Sequence, residues 1–233
     1  MDIKNALIVG AGHGIGLGLV QSLLEQFPNS QIFATYRDEK RASELLKTSA
    51  HSKYIDPSVE EDLLEYFKTL PELDLVICTI GALQKPEKSL RDISIEQLSE
   101  AFKVNAAIPM LICKHAKPRL NKTSENYLIF LSAMVGSIGD NQVGGWYGYR
   151  AAKSALNQLI KTASIEYSRA GYKTKLGVIH PGTTETELSK AFLGNVKHRV
   201  WTPIESAQNI LKVIGDLKST GEFKNWDGTT IPW

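Results

Sequence analysis

A glycine-rich turn set between two segments of different periodicity constrains this chain more than any other feature. Ile3–Val9 is an apolar run centred on Ala6-Leu7-Ile8-Val9, the pattern of a buried strand. Gly10-Ala11-Gly12-His13-Gly14-Ile15-Gly16 follows at once, and Ile15–Gln26 then repeats apolar residues at helical spacing through Leu19, Val20, Leu23 and Leu24. The common Gly-x-Gly-x-x-Gly spacing is not kept, because Ile15 occupies the last glycine's place; the turn reads Gly-x-x-x-Gly-x-Gly on Gly10, Gly14 and Gly16. Such a turn is either purely structural or a dinucleotide site. In a dinucleotide site, residues without side chains let backbone N–H groups close on a pyrophosphate at the positive end of the helix. The strand before and the helix behind favour the second reading, and set Gly10, Gly12, His13, Gly14, Ile15 and Gly16 around a cofactor.

The rest of the chain alternates in the same way. Gln31–Tyr36, Lys53–Ile55, Leu73–Ile80, Tyr127–Leu131 and Leu176–His180 read as strands, with Glu222–Lys224 as a short edge strand. Helices are expected at Lys40–Ser49, Glu60–Thr69, Ile95–Lys117 (bending near Pro109), Trp146–Ala170 and from Pro203 to about Lys218. Gly171 stops the helix before it, and the four glycines of Ser132–Gly145 predict an irregular loop. Leu73–Ile80 is apolar almost throughout, as in a strand covered by helices on both faces. Strands and helices alternating at this spacing imply a single-domain α/β doubly wound parallel sheet, a Rossmann fold of about seven strands spanning residues 1–233. Ligands of such folds bind beyond the carboxyl ends of the strands, here the turns after Val9, Tyr36, Ile80, Leu131 and His180.

Composition narrows the setting. A net charge of +2 with scattered cations argues against a nucleic-acid or membrane surface. Cys78 and Cys113 sit in apolar contexts and read as buried free thiols of a reducing compartment, and the five histidines show no spacing for a metal site. No apolar run approaches the ~18 residues of a membrane span, and the N-terminus leads almost directly into a strand without room for a signal peptide. A cytoplasmic protein is expected.

Two local patterns carry chemistry. Strand Gln31–Tyr36 ends without the carboxylate that often binds adenosine ribose hydroxyls, and Arg37 follows. A guanidinium there pairs with a 2′-phosphate, so NADP(H) is expected over NAD(H); the alternative is a solvated loop charge beside Asp38. Asp56 is either an adenine-edge contact or a turn-initiating residue before Pro57. Tyr149 and Lys153 stand four apart on a predicted helix and share one face. An ammonium near a phenol favours phenolate, which tunes a tyrosine for general acid/base work on a carbonyl or alcohol.

With these features in hand the chain resembles the short-chain dehydrogenase/reductase family along essentially its whole length, through the Gly10/Gly14/Gly16 turn, Asn105, the Ser132 region, Tyr149-Arg-Ala-Ala-Lys153 and Pro181-Gly182 with Thr186. It is most similar to C-factor-like and sniffer-type carbonyl reductases, in Gly136–Asn141, Gly145–Arg150 and the ending Asn225–Gly228 with Ile231-Pro232-Trp233. The resemblance implies hydride transfer between a nicotinamide and a small carbonyl or alcohol substrate, and assembly as a homodimer or homotetramer through long helices. It implies that Lys153 also holds the nicotinamide ribose and that Asn105 holds a relay water. It further implies that Gly81 allows close cofactor approach, that backbone from Ile179 to Thr184, with Pro181 and Gly182, meets the carboxamide, and that Thr186 meets the pyrophosphate. Residues 187–202 would form a substrate lid, apolar at Leu188, Phe192 and Leu193 and cationic at Lys190, Lys197, His198 and Arg199.

Three departures from the family pattern stand out. Val9 replaces the threonine before the first glycine, and Cys78-Thr79-Ile80-Gly81 replaces Asn-Asn-Ala-Gly. The Ser-Ser pair that follows the fifth strand is Ser132-Ala133, so either Ser132, held at a strand end, or Ser137, from the loop, must supply the hydroxyl. Loss of that hydroxyl would favour the alternative of a low-turnover cofactor-binding signalling protein of C-factor type.

Overall fold

The computed structural model describes residues 1–196 and 198–233; of the expected lid residues, Lys197 and the side chain of Phe192 lie outside the described residues. Seven strands, β1 (Asn5–Val9), β2 (Gln31–Tyr36), β3 (His51–Tyr54), β4 (Leu75–Cys78), β5 (Asn126–Leu131), β6 (Thr174–His180) and β7 (Glu222–Asn225), form one sheet in the order β3-β2-β1-β4-β5-β6-β7. Every neighbouring pair is parallel. The order reverses between β1 and β4, and the crevice above that reversal is where a doubly wound sheet receives its ligand.

Helices α1 (Gly14–Gln26) and α6 (Pro203–Asp216) cover one face around Ile8, Ile77, Leu19 and Ile210. The other face packs α2 (Glu60–Thr69), α4 (Ile108–Ala116) and α5 (Tyr147–Arg169) around Leu7, Val76, Phe130 and Leu156. All six residues of β5 and all four of β4 are buried, as the apolar runs predict for strands covered on both sides. Gly18 lets α1 and α6 come together: a Cβ there would lie 2.6 Å from the Pro203 carbonyl oxygen. The start of α6 is fixed by a capping box between Thr202 and Glu205 with proline in the first turn.

Two local expectations are corrected and a third is refined. Lys40–Ser49 does not form an α-helix and holds only a 3₁₀ turn at Leu45–Lys47. The Asp38 carboxylate accepts from the backbone N–H groups of Lys40 and Arg41 at 3.0 and 3.2 Å, a local turn that competes with helix. The third strand is His51–Tyr54, earlier than Lys53–Ile55, because β2 sets its register through Phe33 opposite His51. Near Pro109 the long helix is interrupted, as expected, and the irregularity lies just ahead of the proline. The stretch is α3 (Ile95–Phe102), a π turn at Lys103–Ala107, and then α4. Pro109 has no N–H for the Asn105 carbonyl, so the preceding turn widens and Ile108 N–H donates to Lys103 O, five residues back. No helix among the described residues is long and apolar enough to cross a membrane, and Cys78 and Cys113 are both buried free thiols.

Candidate active site

The glycine turn leaves β1 and is pinned from both sides. Gly10 N–H donates to Thr35 Oγ1 at 3.2 Å, Ala11 N–H donates to Thr35 O at 2.7 Å, and Thr79 Oγ1 donates to Gly10 O at 2.8 Å. Thr35 and Thr79 thus supply loop hydrogen bonds that Val9 cannot. A Cβ on Gly10 would sit 2.9 Å from Thr79 Oγ1, and one on Gly16 only 2.4 Å from Gly10 O, so both positions require glycine. Behind the turn, α1 follows His13, whose side chain does not cap it, and has no acidic residue in its first turn. Its leading N–H groups and positive end therefore suit a pyrophosphate. Burial and Arg41 lower the His13 pKa while Asp38 opposes them, and His13 Nε2 lies 3.4 Å from Arg41 Nη1.

Arg37 and Asp56 lie at the adjacent ends of β2 and β3. Asp56 Oδ1 accepts from Ser58 N–H and Oγ at 3.0 and 2.8 Å, as a turn-initiating residue does, and these bonds, aided by Arg37 and Lys103, lower its pKa. Thr186 packs against the glycine turn, 3.3 Å from where a Gly14 Cβ would be, and Glu187 pairs with Arg41. Gly182 has φ 78°, and a Cβ on it would meet Trp201 and Trp226 at 2.9 Å. Thr184 is buried, its hydroxyl shared with Ser206 and Gly182 O.

A cavity of about 530 Å³ opens beyond the carboxyl ends of β1, β4, β5 and β6. Ile15, Gly81, Ser132, Tyr149, Lys153, Pro181, Gly182, Thr184 and Thr186 all border it, so the structure brings these expected site residues together. Tyr149 and Lys153 lie on the face of α5 turned to β5. Lys153 Nζ is 5.8 Å from the centre of the Tyr149 ring and donates to Leu131 O at 2.9 Å. Burial pushes Tyr149 up to about 12 and pulls Lys153, 3% exposed, down to about 8. Gly81 sits beside Lys153 and Asn105: a Cβ there would be 3.2 Å from Asn105 Oδ1 and 3.4 Å from Lys153 Nζ.

Asn105 occupies the π turn and is 1% exposed. Its Oδ1 accepts from Ala82 N–H at 3.0 Å, and its Nδ2 donates to the carbonyls of Ala82 and Ala101 at 2.9 and 3.0 Å, which fixes the strand-end segment beside Gly81. Ser132 donates to Asn157 Oδ1 at 2.6 Å, while Asn157 Nδ2 donates to Gly136 O at 3.1 Å. Ser137 does not border the cavity; it is 1% exposed and its Oγ accepts from Asp140 N–H at 3.1 Å. Ala133 also borders the cavity. Sequence reasoning missed Thr35, Thr79 and Asn157. The first two end strands that face the turn, and Asn157 continues the Tyr149, Lys153 spacing by one more helical turn, the one signal that could have found it.

The short chain dehydrogenase family profile matches residues 4–196. An uncharacterized oxidoreductase of Schizosaccharomyces pombe is 28% identical over 252 aligned positions, covering 99% of this chain and 98% of that protein. Among solved structures, the NADPH-bound carbonyl reductase from chicken fatty liver is 26% identical with a TM-score of 0.87, covering 100% of this chain and 95% of that one. The carbonyl reductase Sniffer of D. melanogaster is also 26% identical with a TM-score of 0.87, covering 100% of both chains. With this fold beneath it, the chain belongs to the short chain dehydrogenase family and is an NAD(P)-dependent dehydrogenase/reductase.

Proposed function

We propose that this protein is an NADP(H)-dependent reductase of aldehydes or ketones, and oxidises alcohols in reverse, with Tyr149 as general acid and base. The carrying observation is that Tyr149 and Lys153 border one shared cavity with Gly81 beside the lysine. The bound nicotinamide supplies or accepts the hydride. At neutral pH the phenol is protonated, the form that gives a proton to a carbonyl oxygen in the reduction direction. The Lys153 ammonium stabilises the phenolate left behind and is placed to hold the nicotinamide ribose. Asn105 and Gly81 keep the floor flat enough for the ring to approach. Leu83, Met134, Val135, Trp146 and Leu188 wrap the substrate side, which suits an apolar substrate body. The glycine turn, Pro181, Gly182, Thr184 and Thr186 bind the dinucleotide, Arg37 its 2′-phosphate, and Asp56 shapes the adenine end. The buried thiols support a reducing, cytoplasmic setting, and exposed Phe102 and Ile165 on α3 and α5 support pairing of two copies through these helices.

The test is oxidation of NADPH and of NADH with a panel of aldehydes, ketones and quinones, for the wild type and Arg37→Ala. The wild type should turn over with NADPH, and Arg37→Ala should weaken NADPH binding about tenfold or more while leaving NADH nearly unchanged. Turnover with no carbonyl would sink the proposal, and a wild-type preference for NADH would sink its cofactor half.

Asn157 offers only Oδ1 to Ser132, because its amide group faces Gly136 O, so the Ser132 proton is committed away from the substrate. Hydroxyl donation to the developing oxyanion then falls to Tyr149, and Ala133 marks a lost second donor. Ser132→Ala should lower kcat less than about tenfold, whereas Ala133→Ser should raise it about tenfold or more on unactivated ketones. A hundredfold loss in Ser132→Ala, measured by steady-state kinetics, would return Ser132 to the role of oxyanion donor.

A further inference from the structure

The helix that carries Tyr149 is held at its start by a residue far away in sequence. α5 has no acidic residue in its own first turn. The acceptor comes instead from Glu87, which is 6% exposed. Both of its carboxylate oxygens lie near Gly148 N–H, at 3.2 and 3.3 Å, and its main-chain carbonyl accepts from Trp146 N–H at 2.8 Å. No cationic side chain pairs with this carboxylate among the described residues. A buried carboxylate without a cation is costly, and the positive end of a 23-residue helix is what offsets it.

The fit is close. A Cβ on Gly148 would lie 2.7 Å from Glu87 Oε1, so the carboxylate fills the space that a side chain at residue 148 would need. Tyr149 comes next in the chain, and besides the main cavity it borders a small second one formed with Ala101 and the segment 82–87. That segment is therefore fastened at both ends, to Asn105 through Ala82 and to the start of α5 through Glu87.

We infer that Glu87 is a positioning residue for the reaction: its carboxylate clamps the first turn of α5 and so fixes the direction in which the Tyr149 phenol enters the cavity. The inference rests on the reading of Tyr149 as acid and base. A misdirected phenol costs transition-state geometry more than substrate or cofactor binding, so the effect falls on kcat.

The test compares Glu87→Ala, Glu87→Gln and Glu87→Asp by steady-state kinetics, NADPH binding and amide hydrogen exchange. Glu87→Ala should lose about tenfold or more in kcat, with KM and the NADPH Kd within about twofold of wild type. Glutamine keeps an acceptor oxygen at the same reach and should recover kcat to within about threefold, while aspartate, shorter by a methylene, should not. Exchange at the amides of residues 148–152 should quicken in Glu87→Ala and return to wild-type rates in Glu87→Gln. A kcat for Glu87→Ala within about threefold of wild type overturns the inference, as does equal impairment of the alanine and glutamine variants. If the alanine variant does not fold, the glutamine and aspartate variants decide: equal kcat overturns the clamp. Should the wild type turn over no carbonyl, the proposed function fails by itself, and unchanged exchange at 148–152 would then be the result that overturns the clamp.

Discussion

Tyr149→Phe should lower kcat for carbonyl reduction by about 10²–10⁴-fold while leaving NADPH binding within about twofold of wild type. The substitution removes one oxygen and keeps the ring, so its edge-on packing against Trp146 at 6.2 Å survives and the fold is undisturbed. The loss should be large because neither serine can replace the phenol: Ser132 is committed to Asn157, and Ser137 lies outside the cavity. Tyr147, two residues earlier, cannot substitute, because Lys153 stands a full turn from Tyr149 on one face and not from Tyr147. Steady-state kinetics with NADPH and the best carbonyl found would check it. A loss smaller than about tenfold would mean that the proton comes from elsewhere.

Lys153→Met should give a nearly inactive protein that is more stable than the wild type. The ammonium is 3% exposed, and burial pulls its pKa from 10.5 to about 8. At pH 7 it is still mostly charged, so the folded state carries a desolvation cost that the unfolded chain does not. Methionine of similar length removes that cost and forfeits the Nζ bond to Leu131 O, which offsets part of the gain. The net gain should be on the order of 1–2 kcal/mol, a rise in Tm of about 3–6 °C. The sign of the pH dependence follows from a folded pKa below the unfolded one. Between about 8 and 10.5 the unfolded state binds more protons, so wild-type stability from this group rises with pH through that window and the variant's advantage shrinks. Thermal melts at pH 7 and near the top of that window would check both statements. A variant melting below the wild type at pH 7 would show that the hydrogen bond outweighs the burial of charge.

What the sequence made legible was mostly local. The glycine turn announces itself because positive φ and close backbone approach exclude other residues, as at Gly10 with φ 90°. The Tyr149–Lys153 face follows from helical spacing alone, and the parallel sheet from the apolar runs of β4 and β5. Lys40–Ser49 misled because its helix-forming residues compete with an Asp38 side chain whose hydrogen bonds periodicity does not count. Pro109 was legible as a disturbance, but a missing N–H acts on the carbonyl one turn earlier, so the irregularity settled around Asn105. The direction of the Ser132 hydroxyl was beyond reach, since it depends on Asn157 from a different element. Glu87 belongs to no sequence motif, and only tertiary packing draws it against Gly148.

The strand order also dictates how the chain must assemble. β1 lies inside the sheet with β2 on one side and β4 on the other, and its second partner row runs from Leu75 to Cys78. A nascent chain can pair β1 with β2 early, but the other edge of β1, fully apolar from Ala6 to Val9, stays open until β4 is made. Such non-local parallel pairing is slow and leaves sticky edges exposed in the interval. Refolding yield should therefore be limited by concentration, and fragments ending ahead of β4 should precipitate where longer ones stay in solution.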